Sequence, residues 1–210
     1  MRLALALALS CLALPLPAQD RAGDFDYYIL SLSWSPNWCA LEGDERRAPE
    51  CEAGAGFGWI LHGLWPQRER GWPEWCADTG RNPSRRDTAA MADVMGSGDL
   101  AWYQWRKHGR CAGLSSPDYF ALARDAYEQV QRPEVLRRLT REVTLPATLI
   151  EDAFLEANPD LSADQITVTC RQNRIQEVRI CLTRDLDYRR CGEDVIRDCT
   201  ALSAGFAPLR

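Results

Sequence analysis

The chain has 210 residues and 46% of them are hydrophobic, so it can bury a sizeable core and is too apolar to be disordered. Its 25 Lys and Arg against 30 Asp and Glu leave a formal charge of -5. That excludes the broadly basic surface of a protein that grips duplex backbones non-specifically and leaves room only for a locally basic cleft. The N-terminus MRLALALALSCLALPLPAQD sets one positive charge before an Ala/Leu run that ends on small and turn-forming residues. Residues 1–18 read as a secretory signal peptide rather than an anchor, because Pro15 and Pro17 break a run already short for a span. Residues 19–210 then make a single domain with no further segment long enough to cross a membrane.

Asp24 to Pro36 is an aromatic and β-branched run with both faces apolar, which predicts a central strand stopped by Ser-Pro. Cys39 to Gly58 is rich in Gly, Glu and Pro and reads as a loop. A second strand is predicted from Phe57 to Leu64, and a long surface loop from Arg68 to Arg86. Helices follow. Thr88 to Val94 is a short one and Leu100 to Cys111 the next. Ser116 caps Asp118 to Val130 with Pro117 at the first helical position. Pro133 opens Glu134 to Arg141, and Ala147 to Ala157 ends at Asn158-Pro159. Ile166 to Cys170 and Ile175 to Leu182 alternate around a polar turn and predict a hairpin. Asp185 to Arg210 reads as loop held by cysteines. With no internal repeat, the fold class is α+β.

Removing the signal removes Cys11 and leaves Cys39, Cys51, Cys76, Cys111, Cys170, Cys181, Cys191 and Cys199. An even count in an exported chain implies disulfides, though counting does not fix their connectivity. Zinc is disfavoured, since no C-x-x-C pair exists and neither histidine has metal-ligand spacing.

Histidine and lysine are scarce. The two histidines are His62, in GWILHGLWPQ, and His108, in WYQWRKHGRC, and the single lysine is Lys107 beside the second. On a helix, Gln104, Lys107 and His108 stand at i, i+3 and i+4 and share a face, so an amide, a cation and an imidazole converge. A solvated face is the plainer reading, but Trp102, Tyr103 and Trp105 argue for a half-buried helix. His62 read alone is a satisfied core histidine at a strand end. Gly63 and Trp65 beside it look more like a site wall.

No Gly-rich phosphate loop or G-x-S-x-G is present, and no paired carboxylates stand out as they would in a metal-dependent nuclease. Two imidazoles can serve together as general base and general acid near neutral pH, and a lysine can stabilise charge developing on a phosphoryl group. RNA brings its own nucleophile, the 2′-hydroxyl, and no metal or other cofactor is required.

LHGLWPQ (Leu61 to Gln67) and QWRKHGRC (Gln104 to Cys111) resemble the two active-site segments of the ribonuclease T2 family. The first matches H-G-L-W-P fully, and the second matches E-W-x-K-H-G-T-C at Trp105, Lys107, His108, Gly109 and Cys111. YILSLSWSPNWC and the cysteine-rich C-terminal third are similar as well. The resemblance implies an α+β fold with a central antiparallel sheet flanked by helices. It implies cleavage of single-stranded RNA through a 2′,3′-cyclic phosphate, with His108 as base, His62 as acid and Lys107 stabilising the phosphorane. Trp65 would stack on a base; Gln67 and Tyr103 join the expected substrate-binding set, the latter because a tyrosine hydroxyl can hydrogen-bond a phosphate. The implied disulfides are Cys39–Cys51, Cys76–Cys111, Cys181–Cys191 and Cys170–Cys199, the last two nested.

Three positions depart from the pattern: Gln104 replaces a glutamate, Tyr103 a histidine often found there, and Arg110 a threonine. The expected protein is a secreted or periplasmic endoribonuclease with no obligate protein partner. The competing reading is a catalytically weakened protein of the same fold that binds RNA or a protein, and the Gln104 change is its best argument.

Overall fold

The computed structural model describes residues 20–77 and 80–210, so the expected signal peptide lies outside the described residues. The first strand, β1 (Tyr27–Trp34), is buried along its whole length. Tyr28, Leu30, Leu32 and Trp34 enter the main core, whereas Tyr27 and Ile29 join a smaller cluster with Cys181, Cys191 and Val195. This two-sided burial is what the continuous apolar run requires.

Ser35-Pro36 stops the strand, and there the sequence reading needs correction. Proline fits the first turn of a helix, so the chain enters α1 (Ser35–Trp38), a wide turn over Cys39–Gly43 and α2 (Asp44–Arg46) rather than a loop. A 3₁₀ turn follows at Pro49–Cys51. Asn37 pins the segment: its amide donates to the carbonyls of Ile175 and Gly205 at 2.7 and 2.9 Å and accepts from the Ala207 N–H.

The second strand, β2 (Trp59–Gln67), extends three residues past its expected end and includes Pro66. Among the described strands β2 pairs only with β1, and an edge strand tolerates a residue without an N–H. Two short helices, α3 (Arg85–Ala89) and α4 (Ala92–Met95), divide the one expected from Thr88 to Val94. The next, α5 (Gly98–Lys107), is capped by Ser97 and ends before His108, and Gly109–Ala112 continue as a 3₁₀ turn. In α6 (Ser116–Gln129) the cap is Ser115, not Ser116: its hydroxyl accepts from the Asp118 N–H.

The remaining elements are α7 (Glu134–Arg137), β3 (Val143–Leu145), α8 (Thr148–Ala157), β4 (Ile166–Arg171), β5 (Arg174–Leu182) and β6 (Ala204–Phe206). The helix expected to reach Arg141 is shorter, and β3 and β6 were not expected. β2, β1, β5 and β4 form an antiparallel sheet in that order. A single parallel bridge, Arg174 to Gly205, joins β5 to β6, which pairs antiparallel with β3. Disulfides link Cys39–Cys51, Cys76–Cys111, Cys170–Cys199 and Cys181–Cys191. No helix of the described residues is long and apolar enough to cross a membrane.

Candidate active site

The site begins with a fault in the strand register. β1 pairs Leu32 with Leu61 and Ser31 with Gly63, which leaves His62 as the extra residue of a bulge. Leu61 and Leu64 on either side are fully buried in the core, while His62, Trp65 and Gln67 line a cavity of about 380 Å³. Gly63 is required here. A β-carbon at that position would collide with the Trp65 indole and the Gln104 side chain, which are joined by a 2.8 Å hydrogen bond from Trp65 Nε1 to Gln104 Oε1.

The cavity's other wall is α5 and the turn after it. Gln104 and His108 are linked along the backbone, with the His108 N–H donating to the Gln104 carbonyl at 2.9 Å. The Cys76–Cys111 disulfide and a 2.8 Å bond from the Trp75 N–H to the Lys107 carbonyl hold the Arg68–Arg86 segment against this helix end. Glu74 is thereby brought within 3.5 Å of Lys107 Nζ.

Trp65 stands between the histidines. Its ring meets His62 edge-on at 5.4 Å and stacks on His108 at 5.1 Å, and the Arg179 guanidinium lies 5.3 Å from its centroid. The rings with most exposed surface on this cavity are instead Trp72 and Tyr103. Gln67 is buried, and its Oε1 has no partner among the described residues.

The two imidazoles differ in setting. His108 is buried and its Nδ1 has no partner among the described residues. Burial, then the Lys107 charge, then His62 push its pKa down to about 3, so it is neutral across the ordinary working range. His62 is partly exposed, and its Nδ1 lies 2.6 Å from Glu177 Oε1. Glu177 is buried, and Arg179 donates to its Oε2 through Nε at 2.9 Å and Nη2 at 2.7 Å. Burial alone would raise the Glu177 carboxyl; His62 and then Arg179 outweigh it and bring the carboxyl down to about 2. A second cavity, of about 780 Å³, shares His62, Tyr103 and Glu177 with the first.

The model of the Ribonuclease T2 family matches residues 25–191, a span that contains every group just described. The chain belongs to the ribonuclease T2 family. It is 38% identical over 133 residues to a ribonuclease of Aeromonas hydrophila, an alignment covering 62% of this chain and 59% of that protein. It is 31% identical over 137 residues to a probable ribonuclease of Haemophilus influenzae, covering 59% and 49%. The chain thus spans about half to three-fifths of these relatives. The solved RNase-related protein from Calystegia sepium shares the T2 fold at a TM-score of 0.68 and 19% identity, over 89% of this chain and 98% of that one.

The three departures from the T2 motif have distinct surroundings. Gln104 is buried as the acceptor for Trp65, and Tyr103 is exposed between the two cavities. Arg110 Nη2 donates to Asn82 Oδ1 at 2.9 Å, an oxygen that also accepts from Trp105 Nε1. Glu177, Arg179 and Glu74 lie outside both T2 motifs, and the sequence reading did not find them. For Glu177 and Arg179 the available signal was an acid and a base on alternate positions of an expected strand. Glu74 carried no signal beyond its place just before Cys76. Among the described residues no cluster of His, Cys, Asp and Glu is arranged to hold a metal ion.

Proposed function

We propose that this T2-family chain is an exported endoribonuclease that cleaves single-stranded RNA by transesterification. The observation that carries the reading is the convergence of its two histidines on one tryptophan, one imidazole buried and neutral beside Lys107, the other hydrogen-bonded to a carboxylate. His108 accepts the proton of the 2′-hydroxyl as that oxygen attacks phosphorus. His62, with Nδ1 engaged by Glu177, presents Nε2 and protonates the departing 5′-oxygen. The P–O5′ bond breaks and a 2′,3′-cyclic phosphate remains. Lys107 stabilises the charge on the phosphorane, exchanging Glu74 for phosphate.

Trp65 aligns the two imidazoles and offers the bases what is left of its ring, and Tyr103 and Trp72 extend the stacking surface. Gln67 contributes to the substrate-binding wall. The signal-like N-terminus and the four disulfides support export to the periplasm or beyond the cell. The test is incubation of the purified protein with a single-stranded oligoribonucleotide and its DNA counterpart in chelator. The expected result is cleavage of RNA alone, with early products ending in cyclic phosphate. Intact RNA would favour the binding-module reading, and cleavage restored only by a divalent ion would point to another mechanism.

A further inference from the structure

The T2 motifs assign work to the two histidines and Lys107, but they leave the buried acid on β5 without a role. We propose that Glu177 is the positioning residue of His62: its carboxylate fixes the ring through Nδ1 and holds the imidazole in the protonated, proton-donating form, while Arg179 locks the carboxylate. The inference rests on the functional reading above and names the part of the site that makes one histidine the acid.

Three observations carry it. The contact is short, 2.6 Å between His62 Nδ1 and Glu177 Oε1. Glu177 is 2% exposed, so little water competes with the imidazole for its carboxylate. Its second oxygen is occupied by the Arg179 fork, so the carboxyl plane cannot rotate away from the ring. A carboxylate on Nδ1 selects the tautomer and leaves Nε2 for substrate. The sheet register sets this geometry. Glu177 pairs with Ser33 of β1, Ser33 pairs with Ile60 of β2, and the bulge at His62 lies two residues beyond Ile60.

The other charged groups around His62 do not do this job. Arg179 is a cation and by itself opposes protonation, so Glu177 must outweigh it. His108 and Lys107, from the end of α5, add no negative charge, and neutral Tyr103 adds none either. Of the acids lining the second cavity, Glu42 is taken by Arg46 at 2.5 Å and by Arg171. Glu50, on the same wall beside Arg47, has burial raising its carboxyl towards the neutral form. Asp99 starts α5, and Asp194 accepts from the Gly71 N–H at 2.6 Å. Only Glu177 reaches the imidazole among the described residues' ion pairs.

The test pairs a kinetic profile with a titration that needs no substrate. In Glu177→Gln the alkaline limb of kcat/KM should move about 1–3 units to lower pH, the effect of deleting one adjacent opposite charge. Each unit costs tenfold in rate above the limb. The His62 ring signal in NMR, assigned with the His108→Ala protein, should move by the same amount in the substrate-free protein. Glu177→Asp keeps the charge on a shorter arm and should displace both readouts less, which holds the proposal to account even if the Gln variant folds poorly. A His62 signal that titrates identically in parent, Gln and Asp proteins would overturn it. So would equal displacement by the two variants. If the parent fails to cut RNA, the functional reading falls, while the ring titration still decides the Glu177–His62 linkage.

Discussion

His62 stands on an extended strand, its side chain 30% exposed, with a carboxylate against Nδ1. His108 stands just past the end of a helix, buried, with Nδ1 lacking a partner among the described residues and a lysine immediately before it. The same side chain is placed in two different settings. Burial and a neighbouring cation hold His108 neutral, whereas His62 keeps a hydrogen-bonded carboxylate against Nδ1. One active site can run acid and base catalysis together when its titratable groups occupy different environments. A bulge produces one setting and a helix terminus the other, and Gly63 lets the Trp65–Gln104 pair fill the space between.

Removing either member should break the comparison altogether. His62→Ala and His108→Ala are each expected to lower RNA cleavage on the order of 10²–10⁴-fold, since no third histidine can substitute. Rates measured on one oligonucleotide, with circular dichroism to confirm folding, check this. Activity close to that of the parent in either variant would remove the two-histidine mechanism. Lys107→Ala comes next, with an expected loss of about 10²-fold in kcat, the cost of deleting one donor aimed at developing charge. A change confined to KM would mean that the lysine binds substrate without stabilising the transition state.

Two further variants sharpen the contrast rather than abolish it. Gln104→Glu keeps the acceptor for Trp65 and adds a negative charge one helical turn before His108. A nearby anion favours imidazolium, so the profile of kcat/KM should move to higher pH, by about one unit at its acid limb. No movement, or movement to lower pH, would mean that position 104 does not sense the imidazoles. Glu74→Gln should act least. Its pair with Lys107 is partly exposed, and such pairs are worth about 0–1 kcal/mol. Freeing Lys107 should lower KM up to about fivefold at low salt, with the difference shrinking as salt is added. An increase in KM would show that Glu74 orders the lysine rather than competing with the phosphate.

The sequence disclosed the parts of this site that sit on local patterns. His62 and His108 are rare residues in motif-like settings, and Gln104, Lys107 and His108 share a face because helical spacing is a local rule. Glu177 was illegible for a physical reason. An acid at an alternating strand position reads as solvent-facing, and only the pairing of β5 with β1, together with the bulge in β2, sets it under the His62 ring. Glu74 depends in the same way on a bridge between Cys76 and Cys111, 35 residues apart. The main strands and longer helices were legible from periodicity. Three-residue β3 and β6 are too short to carry a period, and Cys39–Arg46 turns helical where its composition suggests loop because Asn37 and the Cys39–Cys51 bridge fasten it.

The contrast between the histidines is tested most directly by the pH profile of kcat/KM for the unmodified protein on single-stranded RNA in chelator. This profile reports the free enzyme's base through its acid limb. With His108 as a buried, neutral base whose pKa is about 3, cleavage should persist well below the ordinary histidine range, with circular dichroism showing the fold intact over the same interval. An acid limb near 6.5, the ordinary histidine value, in a protein still folded there would contradict the account, because His108 would then titrate like a histidine in water.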